Sequence, residues 1–261
     1  MNLSKELMKL FFKKILSSKL SVKLRNFFGI RPVSINSFHV GQGVSISDSF
    51  LWRTDNNLVT KFKYADILNL FYNLNDSKVE IIFYDKFNVF IKKLNLSDIK
   101  LSNDLLLDKL FFDGIEDYGI FNIFHESNSK VDYTISNRCY TGFSFNGNLS
   151  SYVHGNSYVN YRSFNNNETN TGIIGTSFLK NNKYFIQNYF NDNEKVELFF
   201  ANPSKDKVYF SINEKEYFLS KGFSKIVDVS EFNKVEIISN CYFLRPIIFS
   251  YSKGFLDVYH G

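Results

Sequence analysis

The chain has 261 residues, enough for one large or two small domains, with a net charge of +5 and aromatics at 18%. Its two cysteines, Cys139 and Cys241, exclude a disulfide framework and lack metal-ligand spacing, so they read as buried thiols of a reducing compartment. The charge is uneven: residues 1–31 hold eight bases against one acid, and the rest holds 23 bases against 25 acids, which disfavours nucleic acid as a partner of the body.

The first predicted element is a basic leader over residues 1–31. Wound as a helix, it places Leu3, Leu7, Met8, Leu10, Phe11, Phe12 and Ile15 on one broad face. Lys5, Glu6, Lys9 and Lys13 lie opposite, and Lys14 sits at the apolar edge, where a long side chain can snorkel. Ser17-Ser18 reads as an interruption. A second amphipathic stretch follows with Leu20, Leu24, Phe27 and Phe28 on one side, ended by Gly29 and Pro32.

No run reaches the roughly 20 apolar residues of a membrane span, and the continuous apolar core and small-residue cleavage site of a secretory signal are missing. The pattern fits a helix lying in the plane of an anionic membrane surface, with Lys5, Lys9, Phe11, Phe12, Lys13 and Lys14 as its contacts. The competing readings pack its apolar face on the following domain or in the groove of a partner. The expected location is cytoplasmic, peripheral on the inner membrane.

Beyond Pro32 the helical period nearly vanishes. Residues 44–52, 58–64, 78–84, 89–96 and 118–125 read as strands, rich in β-branched and aromatic residues and bounded by Asp, Asn and Lys. Residues 85–88 read as the turn of a hairpin, and 103–112 as either a helical turn or a strand. Residues 140–145 form another strand before the turn Asn146-Gly147-Asn148, and the Asn-rich run 165–172 reads as a loop. The last third is the cleanest β pattern: 184–189, 195–201, 207–212, 216–219, 225–229, 235–239 and 242–251, with a turn at 202–206.

Short strands at this spacing predict an all-β fold of antiparallel β-sandwich type, one sandwich or two in tandem, behind an N-terminal amphipathic basic helix. The expected domains are 32–165 and 173–261. A weak internal rhyme supports two units: Lys78-Val79-Glu80-Ile81-Ile82-Phe83 and Lys195-Val196-Glu197-Leu198-Phe199-Phe200 each precede a hairpin and a closing strand.

Chemistry-bearing residues are sparse. There are four histidines, and His260 lies beside the C-terminal residue, where chains fray. His125, Glu126 and His154 are the best metal-ligand set, but adjacent His and Glu cannot face the same side of a regular strand, and no metal is assigned. No catalytic residue is assigned either, because there is no nucleophile elbow and no catalytic cysteine context. What remains combines aromatic faces with planar hydrogen-bonding groups: Trp52, Arg53, His125, Arg138, Tyr152, His154, Asn156 and Arg162. This combination suits a sugar or another polar small ligand, while each residue taken singly also suits a strand edge.

The segments Ser47-Asp48-Ser49-Phe50-Leu51-Trp52-Arg53, Ile123-Phe124-His125, Arg138-Cys139-Tyr140-Thr141-Gly142-Phe143 and Ser151-Tyr152-Val153-His154-Gly155-Asn156, in that order, resemble a group of bacterial proteins from surface-polysaccharide biosynthesis neighbourhoods. Residues 184–251, with Asn202-Pro203 opening a hairpin, are similar to small β-sandwich proteins such as the sensory rhodopsin transducer family. The resemblance implies a glycan-related context and a non-catalytic sandwich that needs no cofactor. The leading expectation is therefore a membrane-surface-associated protein binding a carbohydrate-like ligand or a partner. The alternatives are an enzyme on a glycan using His125 or His154, and a structural protein whose sandwiches homo-oligomerise.

Overall fold

The structure is a computed structural model that describes residues 43–129, 131–137, 139–164, 166–171, 173–186, 194–241 and 244–261, together with 18–28 and Met8, Lys9, Phe11, Phe12 and Ile15. In chain order the strands are β1 (Val44–Arg53), β2 (Leu58–Tyr64), β3 (Lys78–Asp85), β4 (Phe90–Leu96), β5 (Asn103–Leu107), β6 (Tyr118–Glu126) and β7 (Thr134–Asn137). Then come β8 (Tyr140–Phe145), β9 (Ser151–His154), β10 (Asn156–Ser163), β11 (Asn166–Thr171), β12 (Asn182–Ile186) and β13 (Lys195–Ala201). The last are β14 (Val208–Ile212), β15 (Lys215–Leu219), β16 (Ser224–Asp228), β17 (Val235–Ser239), β18 (Ile247–Ser252) and β19 (Phe255–His260). Two helices are described, α1 (Lys19–Phe28) and α2 (Ile67–Tyr72).

The described chain is all-β. Its strands form a seven-stranded sheet in the order β11-β10-β1-β6-β3-β4, with β7 beside β1, and three four-stranded sheets, β5-β2-β8-β9, β12-β17-β14-β15 and β16-β13-β18-β19. Every pairing between strands is antiparallel except β7 on β1.

Three apolar clusters hold the sheets. Phe50, Trp52, Phe83 and Phe121 of the seven-stranded sheet meet Phe62 and Leu107 of the β2–β5 layer. Val196, Leu198 and Phe200 of β13 meet Phe210, Ile212 and Ile237 of the facing sheet. The third cluster joins the two halves: Leu51, Leu58, Ile120, Phe143 and Val153 pack on Phe199, Ile247, Phe249 and Val258. Alternation explains how one strand serves two clusters, since Phe50 and Trp52 point one way and Leu51 the other. All ten residues of β1 are buried for that reason.

β1 also carries polar residues inside the sheet. Its pairing with β10 shifts register around Asp48, a bulge that lets β1 leave β10 and join β6. Before that point, where β1 still pairs with β10, Ser47 Oγ and Ser45 Oγ accept the backbone N–H groups of Ile123 and His125 at 2.9 and 3.0 Å, so hydroxyls replace missing ladder carbonyls.

Several expectations need correction. The Asn-rich run is no loop: residues 166–171 form β11, whose described side chains on the sheet edge are largely exposed, which is why a polar strand is stable there. Of the two readings of 103–112, residues 103–107 take the strand. His260 lies within β19 opposite Ile247 rather than in a frayed end. The short helix α2 breaks the expected all-strand pattern; Asp66 caps it by accepting from Asn69 N at 3.0 Å, and Asn73 at φ 55° ends it. The internal rhyme is partial. β3 and β13 are both central strands, but β3 hairpins directly with β4, whereas β14 lies in a different sheet from β13.

Of the leader, α1 begins after Ser18, whose Oγ accepts from Ser21 N at 3.2 Å. Its end touches the body: Phe27 stacks on Phe178 at 5.5 Å, and Leu179 N donates to Phe27 O. Leu20, Leu24, Phe27 and Phe28 nevertheless stay exposed. Lys5, Lys13 and Lys14 lie outside the described residues.

Candidate functional site

The eight residues singled out for a polar ligand do not converge. Trp52 is fully buried; its indole N–H donates to Tyr84 O at 2.9 Å and its ring stacks on Phe112 at 4.1 Å. Arg53 is also fully buried, donating to both oxygens of Asp55 at 2.9 and 2.8 Å and to Glu197 Oε2 at 2.7 Å. Burial opposes its charge, but Asp55, Tyr251 and Glu197 outweigh that and raise its pKa. Asn156 is buried on β10, its Oδ1 accepting from Ser157 N. Arg162, nearly buried, ties Glu80 (2.6 Å) to Glu126 (2.9 Å) and lies over the Phe124 ring at 4.6 Å. Each of these side chains is engaged inside the protein, as buried polar groups demand, although the buried Nε of Arg162 has no hydrogen-bond partner.

His125 is buried in the same way. Its Nδ1 meets Asn137 Oδ1 at 2.5 Å and its Nε2 meets Ala65 O at 2.9 Å. Asn137 is oriented by donating to Ser45 Oγ and Ile46 O. Burial, the largest influence, pulls the His125 pKa down. Glu126 points to the opposite face, toward Arg162. His154 belongs to another sheet, and no group of three or more His, Cys, Asp or Glu among the described residues is placed to hold a metal. The ligand set His125, Glu126 and His154 is thus dispersed. Arg138 lies outside the described residues. Cys139 and Cys241 are buried and unbridged, and burial pushes the Cys139 thiol up.

Two of the eight, Tyr152 and His154, do share an exposed face, and it is the outer face of the β5-β2-β8-β9 sheet. In β2, Thr60 and Phe62 turn inward, so Lys61 and Lys63 turn outward. Cross-strand register then sets Lys61 beside Gly142 and Lys63 beside Tyr140. On the next strand Gly142 faces Tyr152 and Tyr140 faces His154.

Glycine at 142 shapes this face. A Cβ there would come within 2.5 Å of the Tyr152 ring, so the ring lies over the glycine rather than standing off the sheet. Lys63 Nζ sits 5.5 Å from the centre of that ring and pairs with Asp104 at 3.2 Å. Tyr140 and His154 lean together with ring centres 4.2 Å apart. Both tyrosines stay exposed, Tyr140 at 47% and Tyr152 at 40%. The result is a shelf of aromatic faces bordered by ammonium, carboxylate and imidazole groups.

Sequence reading missed Lys61, Lys63, Asp104 and Gly142, although the alternation Thr60-Lys61-Phe62-Lys63 already put both lysines on one side. A separate cleft of about 180 Å³ opens on the β12-β17-β14-β15 sheet beside Asn181, Tyr209, Glu216 and Asn240, and none of the eight residues lines it.

The described fold and this face define an all-β chain with an exposed aromatic–polar shelf. No protein-family model matches the chain, and no curated protein does.

Proposed function

We propose that the chain is a non-catalytic binding protein whose shelf on the β5-β2-β8-β9 sheet takes a carbohydrate-like ligand. One observation carries this reading: the Tyr152 ring lies over Gly142 with Tyr140 and His154 on the next register pair, all exposed. A sugar ring offers a face of polarised C–H groups to an aromatic surface and hydroxyls to its rim, and both counterparts occur here. The catalytic alternative loses support from His125, whose two ring nitrogens are occupied inside the protein. The glycan context rests on the short-motif resemblance, and the two-sandwich architecture on the separate apolar clusters of the two halves.

We further propose that the basic leader holds the protein on an anionic membrane surface. No helix among the described residues is long and apolar enough to cross a membrane. The exposed apolar residues of α1, with Lys23 exposed beside them, support an interfacial helix.

Binding of neutral oligosaccharides, followed by tyrosine-ring chemical shifts, tests the shelf. Tyr152→Ala is expected to weaken binding on the order of tenfold or more, the loss of one stacking face. Gly142→Ala is expected to weaken it as well, by displacing the ring without unfolding the sheet. Wild-type affinity in both variants overturns the reading.

A further inference from the structure

Phe178 and Leu179 stand in a turn at 79% and 59% exposure, two adjacent apolar side chains in water. Single apolar residues scattered on a surface need no account, but these two do not stand alone. The Phe178 ring stacks on Phe27 of α1 at 5.5 Å, and Leu179 N donates to Phe27 O at 3.3 Å. Phe27 in turn meets Phe28 edge to face at 5.2 Å. Leu20 and Leu24, exposed like both phenylalanines, extend the same helical stripe. Helix and turn thus present one continuous apolar patch.

The turn is held by the body as well as touched by the helix. Lys180 N donates to Ser177 Oγ at 3.0 Å and closes it, and Ser177 N donates to Asn240 O at 2.7 Å, just past β17. Thr176 bridges Cys241, and Ile174 is buried in the core of that half. Ser177 is itself buried while Phe178 and Leu179 are not. The backbone is therefore fixed in advance, and the two apolar side chains are offered with little left to order on binding.

Charge selects the occupant. Neither α1 nor residues 177–180 contain an acid, and Lys23 and Lys180 are exposed beside the apolar side chains. The leader as a whole holds eight bases against one acid. Apolar side chains with a basic rim match the interface of an anionic bilayer, where acyl chains take the first and headgroups the second. We infer that the 177–180 turn is a second insertion element, entering an anionic bilayer beside α1 and setting which side of the body faces the membrane. The inference rests on the leader being the membrane contact. One buried acyl chain is a marginal anchor and two signals make a stable one. By the same arithmetic α1 is the first signal here, and Phe178 and Leu179 with Lys180 are the second.

The test titrates the full chain with phosphatidylglycerol and with phosphatidylcholine vesicles and reads the bound fraction by co-sedimentation. Phe178→Ser/Leu179→Ser is expected to weaken binding to the anionic vesicles on the order of tenfold or more, since two apolar side chains no longer leave water. Its thermal midpoint is expected to stay near that of the unchanged chain, because both side chains are exposed. In a separate chain Leu179→Cys carries an environment-sensitive dye; Cys139 and Cys241 are buried and do not compete for it. The dye emission is expected to move to the blue with anionic vesicles only. Unchanged affinity of the double variant, or a dye that stays in water while the chain is bound, overturns the role of the turn and leaves the leader standing. Loss of self-association instead of vesicle binding in the double variant assigns the patch to a second copy of the chain and also overturns it. Absence of binding of the full chain to either vesicle overturns both readings.

Discussion

Arg53 NH1 donates to Glu197 Oε2 at 2.7 Å across the junction of the two halves, linking residues 144 positions apart in the chain. Tyr251 OH and Lys195 also reach Glu197, at 3.1 and 2.6 Å, and the Arg53 guanidinium lies over Phe249 at 4.7 Å. Both partners are buried, so their desolvation is offset only while the set is complete. Glu197→Leu is expected to cost about 3–5 kcal/mol, the range for removing one member of a buried ion pair. The double variant Arg53→Met/Glu197→Leu is expected to cost less than the sum of its single changes. Urea unfolding of the four proteins measures both; additive costs would show that the pair does not couple the halves.

Gly119 stands where the indole of Trp52 passes the β3 backbone. A Cβ at 119 would lie 2.1 Å from Tyr84 O and 2.8 Å from Trp52 Nε1. Backbone cannot yield as a flexible side chain does, so Gly119→Ala is expected to destabilise by about 3 kcal/mol, as overpacking does. Trp52 is the single tryptophan, and its emission is expected to change as its hydrogen bond to Tyr84 O is strained. Unchanged emission and stability would mean the strand pair tolerates the added methyl.

Stability is expected to fall in acid. His125 and His260 are both held below their ordinary value in the folded protein, burial being the largest influence on each. Between about pH 6.5 and the His260 value of about 4, the unfolded chain binds more protons, so stability drops as pH falls through that window. Glu80 and Glu197, held low by Lys93, Arg162, Arg53 and Lys195 against the opposing effect of burial, add a further loss below the ordinary carboxylate value. Urea midpoints across pH 4–7 check the sign, and His260→Leu is expected to flatten the upper part of the curve. A midpoint independent of pH would contradict the burial of both rings.

The leader makes a separable prediction. The full chain is expected to sediment with anionic vesicles and not with neutral ones, and to be released toward about 1 M salt, where screening acts within roughly 3 Å. A chain lacking residues 1–31 is expected to stay in solution. Equal sedimentation of both chains would move the membrane contact to the body, and no sedimentation of either would return the leader to packing or to a partner.

Regular strands were legible where alternation or an apolar run was intact. β2 appears over residues 58–64 as read, and β13 over 195–201, because each alternates or buries without interruption. β11 was not legible, since a polar edge strand has the composition of a loop. α2 was not, because six residues are too few to display a helical period. The site was legible only in part. Tyr152 and His154 were found as aromatic and polar residues, but Trp52, Arg53, Asn156 and Arg162 carry the same chemistry and point inward.

By itself the sequence determined the all-β class, the positions of most strands and the concentration of positive charge in the leader, because each is a local property of residue type and period. The tertiary structure decided which polar side chains are partners and which are surface. Arg53 finds Glu197, and Tyr152 finds Gly142, only when the sheets have formed, and burial, not residue type, separates an internal arginine from an exposed tyrosine.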